Sequence, residues 1–405
     1  MEQWGLADLP HEVVYDILSR LPVKPLCRFK SVSKPWLALI TDPQFIKSHL
    51  HQSMKSNTNQ KLIVAPQYNW GQSSESFYFM DYQAPDPTLA ELEMPWKSCG
   101  VDIWGSFNGV LLVSIDEELR LWNPSIGMYQ KITPPGRSSS SIMYALGYDS
   151  INDDFKVVGV VPPIRDVLSM PPFYDDGPST VHVFSSKQSS WKIIGDFDYR
   201  GGLYYGTSRT VLNGSPHWVA QGITDIDGYY FRIACFDVME EKFKDVPTPM
   251  YEVGCNFFKV VVLDGCLCAV DRHHPESHFD VWVMKEYGVK ESWTKLFVVP
   301  GVPPNVPGAL FFEYCELLCF TKDGEVVLRL KLEASVPSKK KKLEESLKLV
   351  IYHPKQKTKR FWMPQDWKGF DVALYVESLV SPHGCKRPVL EGTANKMEME
   401  EKVVL

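Results

Sequence analysis

Cys266 and Cys268 stand two positions apart, with His273, His274 and His278 shortly after them. Thiolate and imidazole are preferred zinc ligands, and a structural zinc site needs four of them in tetrahedral array. Cys-x-Cys is not the usual finger spacing, so the competing reading is a pair of strand cysteines followed by a histidine-bearing loop. Cys315 and Cys319 lie in an apolar run and read as core. Glycoside hydrolysis would need two carboxylates flanking one bond. Candidates such as Asp102, Asp264 and Asp271 are scattered, and Asp264 precedes a glycine where a turn needs an aspartate anyway. No G-x-x-x-x-G-K phosphate loop and no G-x-S-x-G nucleophile turn occurs. The expectation is a chain with no catalytic residue, no metal and no cofactor.

Other residues have binding character. Pro162 to Pro178 is proline-rich and holds Phe173-Tyr174, and Tyr229-Tyr230 follows a Gly-Asp-rich turn. Aromatic side chains dominate binding hot spots, so these four are candidate target contacts; the alternatives are an ordinary loop and strand core. Lys339 to Lys342 read either as a solvated loop or as a basic address.

The bulk numbers narrow the class. With 405 residues, 44% of them hydrophobic, the chain has room for two or three domains with full cores. A net charge of −6 argues against a general nucleic-acid binder. No run of about 18 apolar residues is present, so no membrane span is expected. The N-terminus lacks a basic flank before an apolar run, so no secretory signal is expected. Nine scattered cysteines predict reduced thiols, and a cytoplasmic or nuclear chain.

Two textures must position any site. Up to about residue 50 the pattern is helical. Val13, Val14, Ile17, Leu18 and Leu21 recur at helical spacing after Pro10, and Pro22 stops the run. A second helix near Lys24-Pro25 shows Leu26, Phe29 and Val32. Ser33 caps a third carrying Trp36, Leu37 and Ile40, and Asp42-Pro43 repeats the cap-then-proline signal before Phe45, Ile46 and Leu50. So short a segment rarely holds a core alone. It either caps the rest of the chain or docks on another molecule.

From about residue 60, short β-branched and aromatic runs alternate with turn residues. Asn108-Gly109, Asn213-Gly214, Asp264-Gly265 and Asp323-Gly324 each precede an apolar strand. A second unit joins two aromatics across a polar turn: Trp122 with Tyr129, Phe184 with Trp191, Phe236 with Phe243. The theme recurs around Trp282 and Tyr352. A repeat of roughly 45 to 60 residues is a β-propeller signature, with a pair of β-sandwiches as the alternative. Five blades are countable. Leu62–Ala65 and Phe77–Tyr82 near the start, with Ala373–Val380 near the end, supply a sixth that would close the ring.

The residues also carry family resemblances. Leu9-Pro10, Glu12, Ile17-Leu18, Arg20-Leu21-Pro22-Val23-Lys24, Arg28-Phe29, Val32-Ser33-Lys34 and Trp36 resemble the F-box in its plant form, with proline at Pro25 and Pro35 as departures. Asn108-Gly109, the WNPS at Trp122, Leu146–Val158, Asp280–Phe297 and Tyr375–Pro382 resemble the F-box-associated, kelch-like propeller of plant F-box proteins, nearest the immune-regulating type. The resemblance implies an α+β multidomain chain: an F-box at 1–50, a linker at 51–60, an all-β propeller of about six blades at 61–382, and a disordered tail at 383–405. It also implies a substrate receptor of a ubiquitin ligase. Its F-box would bind a Skp-family adaptor, and through it a cullin. Its propeller would bind an unknown target protein for ubiquitination and proteasomal degradation. The implied adaptor contacts are Leu9, Pro10, Val14, Ile17, Leu18, Leu21, Pro22, Val23, Leu26, Val32 and Trp36. The rivals are a propeller-fold glycan hydrolase with a helical cap, and a recognition protein that binds the adaptor but degrades nothing.

Overall fold

Asn108-Gly109, Asn213-Gly214 and Asp264-Gly265 place two successive residues at positive φ, between 48° and 80°. That is the conformation of a two-residue hairpin turn matched to the twist of its strands. At Asp323-Gly324 only the glycine has positive φ, and Thr321 and Glu325 close a wider turn. A second turn recurs with the aromatic pairs. Asn123, Asp149, Ser185, Asp237 and His353 each accept backbone N–H groups two or three residues ahead. Four residues after each of them comes a positive-φ position: Gly127, Asp153, Ser189, Glu241 and Lys357. Short polar side chains thus satisfy turn amides that the ladders leave over.

These turns join strands into six antiparallel sheets. The computed structural model describes residues 10–56, 59–69, 72–73, 76–84, 86–94, 96, 101–115, 118–135, 142–161, 179–197, 210–223, 229–249, 258–273, 278–300, 310–334, 346–362 and 369–384. Blade two runs Val101–Phe107, Val110–Ile115, Glu118–Asn123, Met128–Ile132, from its first strand to its last. Blade three is Met143–Asp149, Asp154–Val161, Ser179–Ser185, Ser190–Phe197. Blade four is Thr210–Leu212, Ser215–Ile223, Tyr229–Asp237, Lys242–Val246. Blade five is Phe258–Leu263, Cys266–His273, His278–Met284, Trp293–Val299. Blade six is Leu310–Phe320, Val326–Ala334, Ser346–His353, Thr358–Trp362. Blade one mixes both ends of the propeller. Gly369–Val376 pairs with Gln60–Asn69, followed by Phe77–Met80 and Leu89–Leu92, while the short Gln72–Ser73 pairs at the end of Gln60–Asn69.

The core consists of six seams, one between each pair of neighbouring blades. Val110 and Leu112 face blade three, while Leu111, Val113 and Ile115 face blade one. A strand apolar on both faces must be covered on both, which is why its sequence shows a continuous run rather than alternation. One set of inter-blade polar contacts is buried. Arg329 Nη1 lies 3.1 Å from Glu316 and 3.3 Å from Asp371, and Lys259 is 4.0 Å from Glu316. The other Asp371 oxygen accepts the Ile103 N–H at 2.9 Å. A single charged chain thus links blades five, six, one and two.

Among the described residues four helices precede the ring: α1 (His11–Ser19), α2 (Val23–Phe29), α3 (Lys34–Thr41) and α4 (Pro43–Ser56). Ser33 accepts the Trp36 N–H, and Asp42 accepts those of Gln44 and Phe45, as the caps predict. The expected linker at 51–60 is a correction. Helix α4 continues to Ser56 because Ser53 stays buried on the same face as Phe45 and His49, and no glycine or proline interrupts it. Strand pairing then begins at Gln60. Of the expected tail, the chain through Gly384 is described and hydrogen-bonded, so order extends past 383.

At Gly109 an added Cβ would sit 2.1 Å from Ser378 Oγ and 2.6 Å from the Val376 carbonyl oxygen. Gly127 has a similar φ of 69° and open space around it. Positive φ alone makes alanine cost about 1 kcal/mol. Gly127→Ala should show that cost in urea unfolding, and Gly109→Ala should cost clearly more, because it also pushes on the closing segment. Equal costs would contradict the close approach.

Candidate functional site

Helix α1 carries two apolar stripes, and the fold treats them differently. Val14, Leu18 and Leu21 point inward at i, i+4, i+7 spacing. Leu18 is buried with Val23, Leu26, Ile40 and Phe45, while Val14, Tyr15, Leu21, Phe29 and Trp36 pack around them. Val13 and Ile17, one turn apart, are 41% and 48% exposed. Val32, in the turn after α2, is 61% exposed, and Leu37 on α3 is 44% exposed. Full burial of such a side chain gains about 1.5–3 kcal/mol. Side chains of this kind left in water on one small domain, Met54 of α4 at 45% exposure among them, have a drive to be covered.

Helix α4 is the joint. Its Phe45 meets Tyr15 edge to face at 5.3 Å, and His49 Nε2–H donates to the Leu21 carbonyl at 2.8 Å. Its neighbouring face, with Pro43, Ile46, Leu50 and Met54, lines a cavity of about 290 Å³ against Asn108, Tyr148, Ser150, Asp153, Val380 and Ser381 of the propeller. Lys47 lies 3.7 Å from Asp153 across that seam. The helical core is itself completed from the propeller, by buried Leu379 and part-buried Ile126. The helices therefore sit on the ring face that carries the tight first-to-second and third-to-fourth strand turns.

This geometry sorts the expected adaptor contacts. Pro10, Ile17, Pro22 and Val32 are exposed, and Val14, Leu21 and Trp36 are half-buried. Leu18, Val23 and Leu26 are corrections: at 1%, 0% and 0% exposure they form the domain's own interior. Val32 is also no part of α2's face, since the helix ends at Phe29. Leu9 lies outside the described residues. Val13 and Leu37 were readable as apolar helix positions, but periodicity did not say which of two stripes would face outward. Exposed basic side chains lie on the same helical domain. Residues 1–56 hold seven Lys or Arg (Arg20, Lys24, Arg28, Lys30, Lys34, Lys47, Lys55) against Glu2, Asp8, Glu12, Asp16 and Asp42, a net +2 in a chain of net charge −6.

Among the candidate target contacts, Phe173 and Tyr174 lie outside the described residues, as does the lysine run at 339–342. Tyr229 and Tyr230 open the third strand of blade four, opposite Ile223 and Gly222. That strand end, like the ends joined through 162–178, belongs to the face opposite the helices.

The chemistry-bearing residues are placed as structure. Asp264 is a positive-φ turn residue, Asp271 is buried in the second strand of blade five, and Asp102 is exposed on the first strand of blade two. Carboxylates that do come together include Glu316 and Asp371, bridged by Arg329, and Asp271 and Asp280, buried register partners in blade five; none of these pairings was foreseen by a local pattern. Burial pushes the Cys268 and Cys319 thiols up to about 12, far from a nucleophile's range. Among the described residues no three His, Cys, Asp or Glu side chains gather as a metal site, and His274 lies outside them.

Comparison with known proteins bears on this arrangement. Residues 6–48 match the family model of the F-box domain, and residues 86–382 that of the F-box associated beta propeller domain. The F-box protein CPR1 of Arabidopsis thaliana is 34% identical over 80% of this chain and 79% of its own. A second F-box protein of that plant is 28% identical over 82% and 83%, and an F-box/kelch-repeat protein 29% identical over 74% and 82%. Among solved structures, a Trypanosoma rangeli sialidase aligns at 11% identity and a TM-score of 0.40, over 72% of this chain and 52% of that one. So loose a likeness carries no argument.

His49 gives the helical domain an acid sensitivity. Its donating Nε2 leaves Nδ1 buried without a partner, and burial lowers its pKa below the ordinary value near 6.5. The folded state thus binds fewer protons than the unfolded one. This stabilisation is fully present above pH 6.5 and is lost as pH falls toward the depressed folded value. Hydrogen-exchange protection of α1 and α4 should fall between pH 7 and 5, and His49→Gln should flatten that slope. His217, buried between the Ser215 carbonyl and the Tyr287 hydroxyl and pushed down to about 4, remains in that variant and gives blade four its own dependence below pH 6.5.

Proposed function

This chain belongs to the F-box proteins that carry an F-box-associated β-propeller, and on that premise we propose that it is the substrate receptor of a cullin-type ubiquitin ligase. Its helical domain docks on a Skp-family adaptor, its propeller holds a protein target, and that target is ubiquitinated and degraded. The chain performs no bond chemistry. It raises the local concentration of a target lysine near the charged conjugating enzyme, and tethering alone supplies large effective concentrations.

One observation carries this reading. The helical domain buries one set of apolar side chains against itself and the propeller, and leaves Val13, Ile17, Val32 and Leu37 in solvent. The docking surface is therefore this exposed set, with half-buried Val14, Leu21 and Trp36 beneath it. Exposed Lys24, Arg28 and Lys34 favour an adaptor whose rim is acidic. The target side is the opposite face, where the connections between strands are longest and where Tyr229 and Tyr230 start their strand. Resemblance of the Asp280–Phe297 stretch to the immune-regulating type extends the proposal to plant defence.

The double variant Ile17→Asp, Leu37→Asp should lose adaptor capture by at least about a hundredfold while its thermal unfolding midpoint stays within a degree or two of the parent. Leu18→Asp should instead unfold the helical domain, as seen by circular dichroism. Retained adaptor capture by the folded double variant would refute the docking assignment. The same variant serves better than a deletion in proteasome-blocked affinity purification, because deleting the helices would bare Leu379 and Ile126. Target that accumulates ubiquitin with the parent but not with the variant supports the receptor reading. Target bound equally and never modified would mean recognition without degradation.

A further inference from the structure

The segment Gly369–Gly384 serves two structures that lie at opposite ends of the chain's order. Gly369–Val376 pairs residue by residue with Gln60–Asn69, from Gly369 opposite Gln67 to Val376 opposite Gln60. This ladder is what joins the last strand of the ring to the first. Its Asp371 takes the Ile103 N–H of blade two and pairs with Arg329 of blade six, so both flanking blades are held from one side chain.

The same segment then runs beneath the helices. The Tyr375 hydroxyl donates to Asn123 at 2.8 Å, and the Glu377 N–H donates to the Asn59 carbonyl, while its carboxylate meets Lys61 at 2.7 Å. Asn123 Nδ2–H bonds the carbonyls of Ser378 and Val380, and Ser378 Oγ–H donates to the Asn108 carbonyl. Between them Leu379, 4% exposed, enters the helical core beside Leu18, Val23, Leu26, Ile40 and Phe45. Val380 and Ser381 continue along the cavity under α4.

We infer that closure of the ring and completion of the helical core are one cooperative event, coupled through the strap Gly369–Gly384. The helices, first in the chain, reach their final packing only when the strap, more than three hundred residues later, is seated. Frayed pairing at Gln60–Asn69 releases Leu379 and loosens α2, α3 and α4. Any partner that needs ordered helices therefore meets them only on a chain whose propeller is complete. This coupling stands on contacts within the chain and does not depend on which partner docks there.

Hydrogen exchange on the full chain, read by peptide mass spectrometry under native conditions, tests it. Asp371→Asn keeps the side-chain shape but loses the charge pair, at the end of the strand away from the helices. It should speed exchange in Gln60–Asn69 by on the order of tenfold or more, and speed exchange in α2 to α4 by a similar factor. Leu379→Ala should do the same from the other end, speeding exchange in the ladder as well as in the helices. Val281→Ala, in the seam between blades five and six, should loosen that seam and leave the helices unchanged. If Asp371→Asn opens the ladder while the helices keep their parent rates, the coupling is refuted. It is equally refuted if Val281→Ala speeds the helices as much as Asp371→Asn does.

Discussion

The antiparallel ladder between Gln60–Asn69 and Gly369–Val376 is the contact on which the remaining structure depends. Each blade is apolar on both faces, so each needs a neighbour on both sides. A row of such sheets has no satisfactory end, and only a ring covers every face. The ladder makes the row a ring. It also leaves Leu379 placed to finish the helical core, so the domain at one end of the sequence rests on pairing at the other.

Within that frame the helical domain is a small body with divided surfaces. Phe45 and His49 of α4 look toward α1 and the turn after it, and Ile46, Leu50 and Met54 line the cavity against the propeller. A helix with two apolar faces leaves little freedom between the bodies it joins. The exposed stripe of Val13 and Ile17 is therefore held in a fixed relation to the ring face opposite the helices. That relation is what a receptor needs if it is to present a bound target in one orientation.

Much of this was legible in the sequence because it rests on local signals. Ser33 and Asp42 with their following prolines gave the helix starts, and the paired Asn-Gly and Asp-Gly turns gave the hairpins. The ring closure was readable because strand-like runs stood beyond the repeat at both ends, Leu62–Ala65 and Phe77–Tyr82 before it and Ala373–Val380 after it. Other features had no local signal. The linker reading failed because a polar stretch such as His51-Gln52-Ser53 looks like a connection until its burial is known. Leu18, Val23 and Leu26 could not be told from Ile17 and Val32 by type, since an apolar residue matching the F-box pattern can face either way. Glu316 and Arg329 stand opposite each other within blade six, and Asp371 reaches them only because the ring brings blades six and one together.

The uneven placement of charge has a consequence for how the molecule meets others. Residues 1–56 carry seven cationic side chains against five anionic ones, a net charge of +2 on a chain of −6, so the helical end is mildly positive and the remainder negative. In the field of an approaching anionic protein such a body turns before it touches. Random collisions become preferentially head-on at the helical end. The encounter rate then responds to ionic strength in a way that the apolar contact itself does not.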